Sequence, residues 1–216
     1  MEKKIKKLVL LIAVAGIAAT AQPVAAQWYG VATVGSTNTS VNQSVLAVTG
    51  STANSYSKDD TDTGYKLQAG YQINPNFAVE GGYVSLGNFS LTNNVTAPFV
   101  GSAKGALKAD GWNLVGVGIL PVGKDFSVFG KLGTIYSTTT ADVTTSGAIA
   151  LAAGTPANRK KSEWNLTYGL GLQYDFTKSI SIRGEWERFD GLGDNGTNST
   201  GEYNFNMYSV GLAFKF

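Results

Sequence analysis

Residues 203–216 read Tyr-Asn-Phe-Asn-Met-Tyr-Ser-Val-Gly-Leu-Ala-Phe-Lys-Phe. Every second residue counted back from the end, Phe216, Phe214, Leu212, Val210 and Tyr208, is apolar or aromatic. The alternate set, Lys215, Ala213, Gly211 and Ser209, is small, polar or charged, with Met207 the exception. A period of two is the signature of a strand with one oily face. A soluble domain buries such a face under a second layer, whereas a transmembrane barrel turns it toward lipid.

The same period recurs upstream. Residues 28–35 place Trp28, Gly30, Ala32 and Val34 on one face. Residues 63–73 alternate Tyr65, Leu67, Ala69, Tyr71 and Ile73 with Lys66, Gln68, Gly70 and Gln72. After the turn Asn74-Pro75-Asn76, residues 77–89 set Phe77, Val79, Gly81 and Tyr83 against Ala78, Glu80, Gly82 and Val84. Residues 107–120 alternate least, because Trp112 and Leu114 oppose Val115, Val117 and Ile119. Residues 126–139 follow after a turn, with Phe126, Val128, Leu132 and Tyr136 opposite Phe129 and Lys131. Residues 162–176 are the cleanest, with Trp164, Leu166, Tyr168, Leu170, Leu172, Tyr174 and Phe176 on one face. Residues 180–189 place Ile180, Ile182, Gly184 and Trp186 opposite Ser181, Arg183, Glu185 and Glu187.

The terminal stretch makes the count eight strands. Connections alternate between long and short. Polar stretches over 36–62, 90–106, 140–161 and 190–202 read as loops, with a short accessory strand expected over 44–49. All three short turns then fall on the side of the two termini, and all four long loops on the other. Short periplasmic turns and long surface loops are the arrangement of outer-membrane barrels. The oily face also carries aromatics near both ends. Trp28, Tyr71, Phe77, Phe126, Tyr174, Phe176, Phe214 and Phe216 form one girdle; Tyr65, Tyr83, Trp112, Tyr136, Trp164, Trp186 and Tyr208 form the other. Trp164 and Tyr174 are ten residues apart, which at ~3.3 Å per residue and a tilt near 45° spans roughly 23 Å. An apolar band of about 25 Å is what a membrane barrel requires. A soluble barrel would turn these aromatics inward, where a narrow lumen has no room for them.

The fold expectation is therefore an all-β, eight-stranded antiparallel transmembrane barrel over residues 27–216, after a signal peptide over 1–26. Lys3, Lys4, Lys6 and Lys7 form its positive start, residues 8–19 its short apolar core, and Val24-Ala25-Ala26 the preferred cleavage site, with Ala19-Thr20-Ala21 a second one. The rival for residues 8–20 is a membrane anchor, disfavoured by their length. Removing the leader leaves 13 Lys+Arg against 14 Asp+Glu, so a nucleic-acid partner has no electrostatic support. The 216-residue chain has no Cys, although export would permit disulfides, and no His, the commonest general base and metal ligand.

The inward faces carry Lys66, Glu80, Lys131, Glu163, Asp175, Arg183, Glu185, Glu187 and Lys215. Charges inside a narrow barrel must pair, because an unpaired one costs several kcal/mol. Paired, they neutralise and fill the core; rearranging, they would line a path for ions. Glu185 and Glu187 are a carboxylate pair, but neither a nucleophile nor an oxyanion arrangement accompanies them, so no enzyme is expected. Residues 191–196 match GxGxxG without a following helix. Asp59, Asp60 and Asp62 are either a solvated loop or a Ca²⁺ site near lipopolysaccharide. Arg159-Lys160-Lys161 is either a solvated run or a contact for lipopolysaccharide phosphates.

Residues 70–77, Gly-Tyr-Gln-Ile-Asn-Pro-Asn-Phe, and residues 80–87, Glu-Gly-Gly-Tyr-Val-Ser-Leu-Gly, resemble the transmembrane domain of the outer membrane protein A (OmpA) family. So do Trp28-Tyr29-Gly30, Ile182-Arg183-Gly184-Glu185-Trp186 and the terminal Gly211-Leu212-Ala213-Phe214-Lys215-Phe216. The smaller barrels of the OmpX/opacity type are equally good relatives. The resemblance implies a lumen charge network of Glu80, Lys131, Glu185 and Lys215, with Arg183 nearby and Lys66 on the same face. Val117 stands where the family has an inward basic residue, which puts a family-like gate in doubt. The chain stops at the last strand, so no cell-wall tether is implied. Phe216 resembles the terminal aromatic that the outer-membrane assembly machinery recognises. The functional expectation is a non-catalytic structural protein of a Gram-negative outer membrane, without cofactor or metal, surrounded by lipid and lipopolysaccharide. Its loops are expected to serve adhesion or recognition of extracellular ligands. The alternative is a narrow porin-like channel for ions or water.

Overall fold

The computed structural model describes residues 27–40, 48, 50–98, 100–149, 158–194 and 200–216; the expected leader over 1–26 lies outside them. Nine strands follow one another: β1 (Gln27–Thr39), β2 (Ala53–Asp59), β3 (Thr61–Asn74), β4 (Phe77–Ala97), β5 (Gly101–Pro121), β6 (Phe126–Gly147), β7 (Asn158–Asp175), β8 (Ile180–Asp194) and β9 (Gly201–Lys215). Eight of them close a ring in the order β4-β3-β1-β9-β8-β7-β6-β5, and β5 returns to β4. All pairings are antiparallel. Closure runs from Tyr29 opposite Lys215 to Thr39 opposite Phe205. The Phe216 amide also donates to the Trp28 carbonyl at 3.1 Å. Among the described residues the ring leaves no sheet edge at membrane depth, which is the condition for backbone in lipid.

The turns at the terminal side are short and self-satisfied. The Asn76 amide donates to Asn74 Oδ1 at 2.9 Å, and the Ile180 amide to Thr177 Oγ1 at 3.0 Å. Sequence alternation and burial agree strand by strand. Trp28, Val34, Leu67, Trp112, Trp164, Leu170, Tyr208, Val210 and Phe214 are exposed to the outside, whereas Lys66, Glu80, Val115, Ile135, Glu187 and Ala213 are buried within.

The loop side differs from expectation. The stretch expected as a loop over 90–106 is strand: β4 runs on to Ala97 and β5 starts at Gly101, paired from Ser90 opposite Ala106 to Val95 opposite Gly101. Residues 140–147 and 158–161 of the expected third loop likewise extend β6 and β7, from Thr140 opposite Lys160 to Asp142 opposite Asn158. Residues 190–194 and 201–202 extend β8 and β9. The first connection contains β2 at 53–59; of the accessory strand expected over 44–49, all but Val48 lies outside the described residues. β2 continues the wall beside β4 where β3 has ended, with Asn54 opposite Val95 and Asp59 opposite Ser90.

A bulge between Ser85 and Asn88 allows the continuation of β4. Gly87 adopts φ +95° there, and Asp62 Oδ2 accepts from the Asn88 amide at 2.6 Å. One extra residue moves the inward face from Val84 to Phe89, Leu91 and Asn93, all buried. The carboxylate weighed as a calcium ligand thus caps a bulge. Among the described residues no cluster of acidic groups could hold a metal ion.

Candidate functional site

The barrel interior is built in tiers. At the turn end lies an open cavity of about 550 Å³, bordered by Gln72, Lys124, Gln173, Asp175 and Lys215 and ending at Arg183 and Tyr29. Lys215 Nζ lies 3.3 Å from Asp175 Oδ2 in this mouth. The expected partnership of Lys215 with Glu80 and Glu185 is therefore not formed. Asp175, brought to the same rim by β7, also accepts from Ser181 Oγ at 2.5 Å and Gln173 Nε2 at 2.6 Å.

Above the mouth the other five expected network residues come together, joined by Glu187. Charges alternate along one connected line. Arg183 Nη1 meets Glu80 Oε1 at 2.5 Å, and Glu80 Oε2 meets Lys131 Nζ at 2.8 Å. Lys131 Nζ meets Glu185 Oε2 at 2.7 Å. Lys66 Nζ then joins Glu185 Oε1 at 2.9 Å and Glu187 Oε2 at 2.5 Å. All six side chains are buried, and their formal charges cancel. Neighbours add three hydrogen bonds to the line. Tyr29 donates its hydroxyl to Glu80 at 2.8 Å, Thr167 to Glu187 at 2.8 Å, and Arg183 Nε to Gln173 Oε1 at 2.7 Å. The Arg183 guanidinium also lies over the rings of Tyr29 and Phe129, at 5.3 and 5.1 Å.

The space for this line comes from small inward residues. A Cβ at Gly70 would stand 2.2 Å from the Tyr29 ring, and one at Gly171 2.3 Å from the Phe129 ring. Val117, at the position noted for its missing basic group, joins Tyr29, Val31, Ala78, Val115, Phe129 and Ala213 in an apolar layer around the cations. Glu187 and Tyr29 were absent from the expected network. Glu187 carried a signal, being two residues from Glu185 on the same inward face. Tyr29 carried none beyond its parity opposite Trp28.

The loop-side half of the lumen holds a large apolar cluster, with buried Thr37, Asn93, Ser137 and Thr139 beside it. Val84, Leu86, Phe89, Leu91, Leu107, Ala109, Ile135, Phe189, Leu192, Tyr203, Phe205 and Met207 form one buried cluster. The rings of Phe89 and Phe205 stand 5.3 Å apart. The weak alternation of residues 107–120 has its cause here: the inward face of β5 serves the two apolar layers while its outward face meets lipid.

Of the basic run over 159–161, Lys161 turns inward to Asp194 at 3.0 Å, and Arg159 shares its face; Lys160 points outward and is exposed. The outward aromatics pair along both rims. Ring centroids are 5.0 Å apart for Trp28–Tyr71, 5.1 Å for Tyr174–Phe176, 5.7 Å for Tyr83–Trp112 and 5.2 Å for Tyr136–Trp164. Trp186 is half-buried because Tyr168 packs against it at 6.1 Å. Phe77, Phe214 and Phe216 are exposed at the turn end, Tyr208 at the other.

Comparison with known proteins places this geometry. The family model described as the OmpA-like transmembrane domain matches residues 23–216. Outer membrane protein A of Salmonella typhi is 27% identical over 212 residues, covering 97% of this chain and 54% of that protein. Outer membrane protein A of Klebsiella pneumoniae is 27% identical over 149 residues, covering 68% of this chain and 39% of its own length. The chain thus spans about half or less of the relatives it matches. Among solved structures, Neisserial surface protein A superposes with a TM-score of 0.50 at 12% identity, over 89% of this chain and 99% of that one. At that identity the likeness concerns the fold.

Proposed function

The chain belongs to the OmpA-like transmembrane domain family, and on that premise we propose that this outer-membrane barrel is a non-catalytic anchor for a recognition surface outside the cell. The observation that carries the reading is the contrast between a filled lumen and an extended outer wall. Six mutually paired charges and the apolar cluster above them occupy the inside. Meanwhile β4, β5 and β6 continue past the outer aromatic girdle. From Trp112 back to Gly101 is eleven residues of β5, which at ~3.3 Å per residue and ~45° tilt rise roughly 25 Å above that girdle. Their tip is polar, with Asn94, Ser102, Lys104 and Thr144 turned outward. Outer-membrane lipid surrounds the barrel; extracellular ligands at the tip and the assembly machinery at Phe216 are part of the proposal, as is removal of residues 1–26 on export.

A catalytic role has little support. Glu185 and Glu187 are each held by Lys66, and no His exists to activate a nucleophile. The channel reading draws on one feature, the polar mouth that leads in from the turn end. Above the charges, however, an ion would have to cross the Phe89, Phe189 and Phe205 layer, and an apolar constriction of this kind excludes water.

The test replaces residues 93–103 by Asn-Gly, which suits a two-residue hairpin. The expected result is unchanged barrel circular dichroism and melting, with loss of adhesion to cells or extracellular matrix that the parent protein shows. Equal adhesion by the two proteins would sink the reading.

A further inference from the structure

The mouth at the turn end is a blind cavity. Its volume of about 550 Å³ is that of a small-molecule site, and it stops at Arg183 and Tyr29, below the line of charges. Arg183 is 3% exposed. Its Nε donates to Gln173 and its Nη1 to Glu80, and the Tyr29 and Phe129 rings lie against the guanidinium. Among the described residues the third nitrogen, Nη2, makes no hydrogen bond. A buried, held guanidinium with a spare donor thus ends the cavity.

The rest of the mouth is also short of acceptors. Asp175 already accepts from Ser181, Gln173 and Lys215. Lys215 has three N–H donors and one partner there. Lys124 and Lys178 stand exposed at the rim, with Asp125 the other acid of the lining. Glu80 balances Arg183 from above. Lys124, Lys178 and Lys215 against Asp125 and Asp175 then leave one positive charge in the mouth.

A second feature fixes the shape of an occupant. Gln27 and Gln72 are directly opposite each other on β1 and β3, half-buried, and both line the cavity. Gln27 is two residues nearer the turn end than Tyr29, about 7 Å along the strand, or roughly 5 Å in depth at a 45° tilt. Each primary amide offers both donors and an acceptor. Ile119 and Pro121 of β5 add an apolar wall. A carboxylate at Arg183 would therefore have an amide partner one or two extended residues behind it.

We propose that this mouth is a binding site for the carboxylate end of a short peptide on the turn side of the membrane. The carboxylate meets Arg183, the last peptide units lie between Gln27 and Gln72, and small apolar side chains rest on Ile119 and Pro121. The charge line closes the cavity above, so the peptide enters and leaves on the same side. The inference is independent of the display reading, since none of these residues belongs to the ribbon tip over 93–103.

The test records nitrogen–proton correlation spectra of the full chain in detergent micelles. The probe is the peptide Ala-Ala-Ala; parallel arms use its C-terminal amide, acetate and inorganic phosphate. Ala-Ala-Ala is expected to shift the side-chain amide signals of Gln27 and Gln72 saturably. Amidation removes the charge-assisted contact with Arg183 and should weaken binding about 10-fold or more. Arg183→Lys keeps a cation beside Glu80 but loses the spare nitrogen, and should weaken binding by a similar factor. Ser127→Trp, on the cavity wall opposite Gln173 and outside the charge line, should abolish the shifts with melting near that of the parent. Unshifted Gln27 and Gln72 signals in the parent would overturn the proposal, as would parent-like binding by Ser127→Trp or of the amidated peptide. Acetate or inorganic phosphate competing as strongly as the peptide would overturn the peptide assignment in favour of a free-anion site.

Discussion

Glu80 receives three partners at once: Arg183, Lys131 and the Tyr29 hydroxyl. Removing its charge leaves two buried cations facing each other, and breaking a buried pair in this way costs about 3–5 kcal/mol. Glu80→Gln is therefore expected to lower the urea midpoint of the vesicle-inserted barrel by that equivalent. Lys215→Ala, which breaks only the half-exposed contact with Asp175 at the mouth, should cost about 1 kcal/mol or less. Equal losses would show that the line of six charges is not one network. Gly70→Val tests the same network from below. Its side chain would push the Tyr29 ring off Glu80, and overpacking of this kind costs about 1–3 kcal/mol. Inward parity made the charged residues legible in the sequence. Their pairing was not, because it depends on how far each strand is staggered around the ring. That stagger sends Lys215 to Asp175 and brings Glu187 to Lys66.

At the scale of the strand, membrane-facing segments could be read from sequence because lipid demands an uninterrupted oily face. The extensions above the girdle escape that demand. Between residues 90 and 97, water meets one face, so Asn93-Asn94 and Pro98 look like loop while the ladder with β5 continues. The bulge at Gly87 hid the remainder, since it changes the parity just before Phe89. Deleting Gly87 should remove the extra residue and leave one regular ladder, with Asn88 still opposite Lys108 and Phe89 still opposite Leu107, so that Phe89, Leu91 and Val95 stay inward. The chain has no Cys, so a single Leu91→Cys probe is clean. It is expected to resist a membrane-impermeant maleimide in the parent and in the deletion variant alike; a deletion variant that reacts within minutes would show that pairing with β5 is not what holds residues 89–95 inward. The last strand carries a separate expectation. Phe216 adds a hydrogen bond to Trp28 and stands exposed beyond β9. If it serves as the assembly signal, its deletion should cut the folded yield in the outer membrane several-fold, whereas Lys215→Ala should leave it near the parent level. Matching yields would remove that role.

For the whole molecule, the two halves of the lumen act in series. The lower half is a polar mouth closed by the charge line, and the upper half is closed by Phe89, Phe189, Phe205 and their neighbours. Rearranging the salt bridges opens only the first barrier. A narrow channel governed by ion pairs would respond to Glu80→Ala or Lys131→Ala in planar bilayers with new or altered conductance steps. A lumen sealed twice should stay silent for the parent and for both single variants. It should conduct only when a lower substitution is combined with Phe89→Ala and Phe205→Ala, which thin the apolar layer where the two rings meet. Phe89→Ala with Phe205→Ala alone should remain closed, because the charge line below is intact, even though core truncations of this size cost about 3–5 kcal/mol each and will lower the melting temperature. Steady conductance in the parent, or in Lys131→Ala alone, would mean that water already crosses the apolar layer. The filled-barrel reading would then yield to the channel.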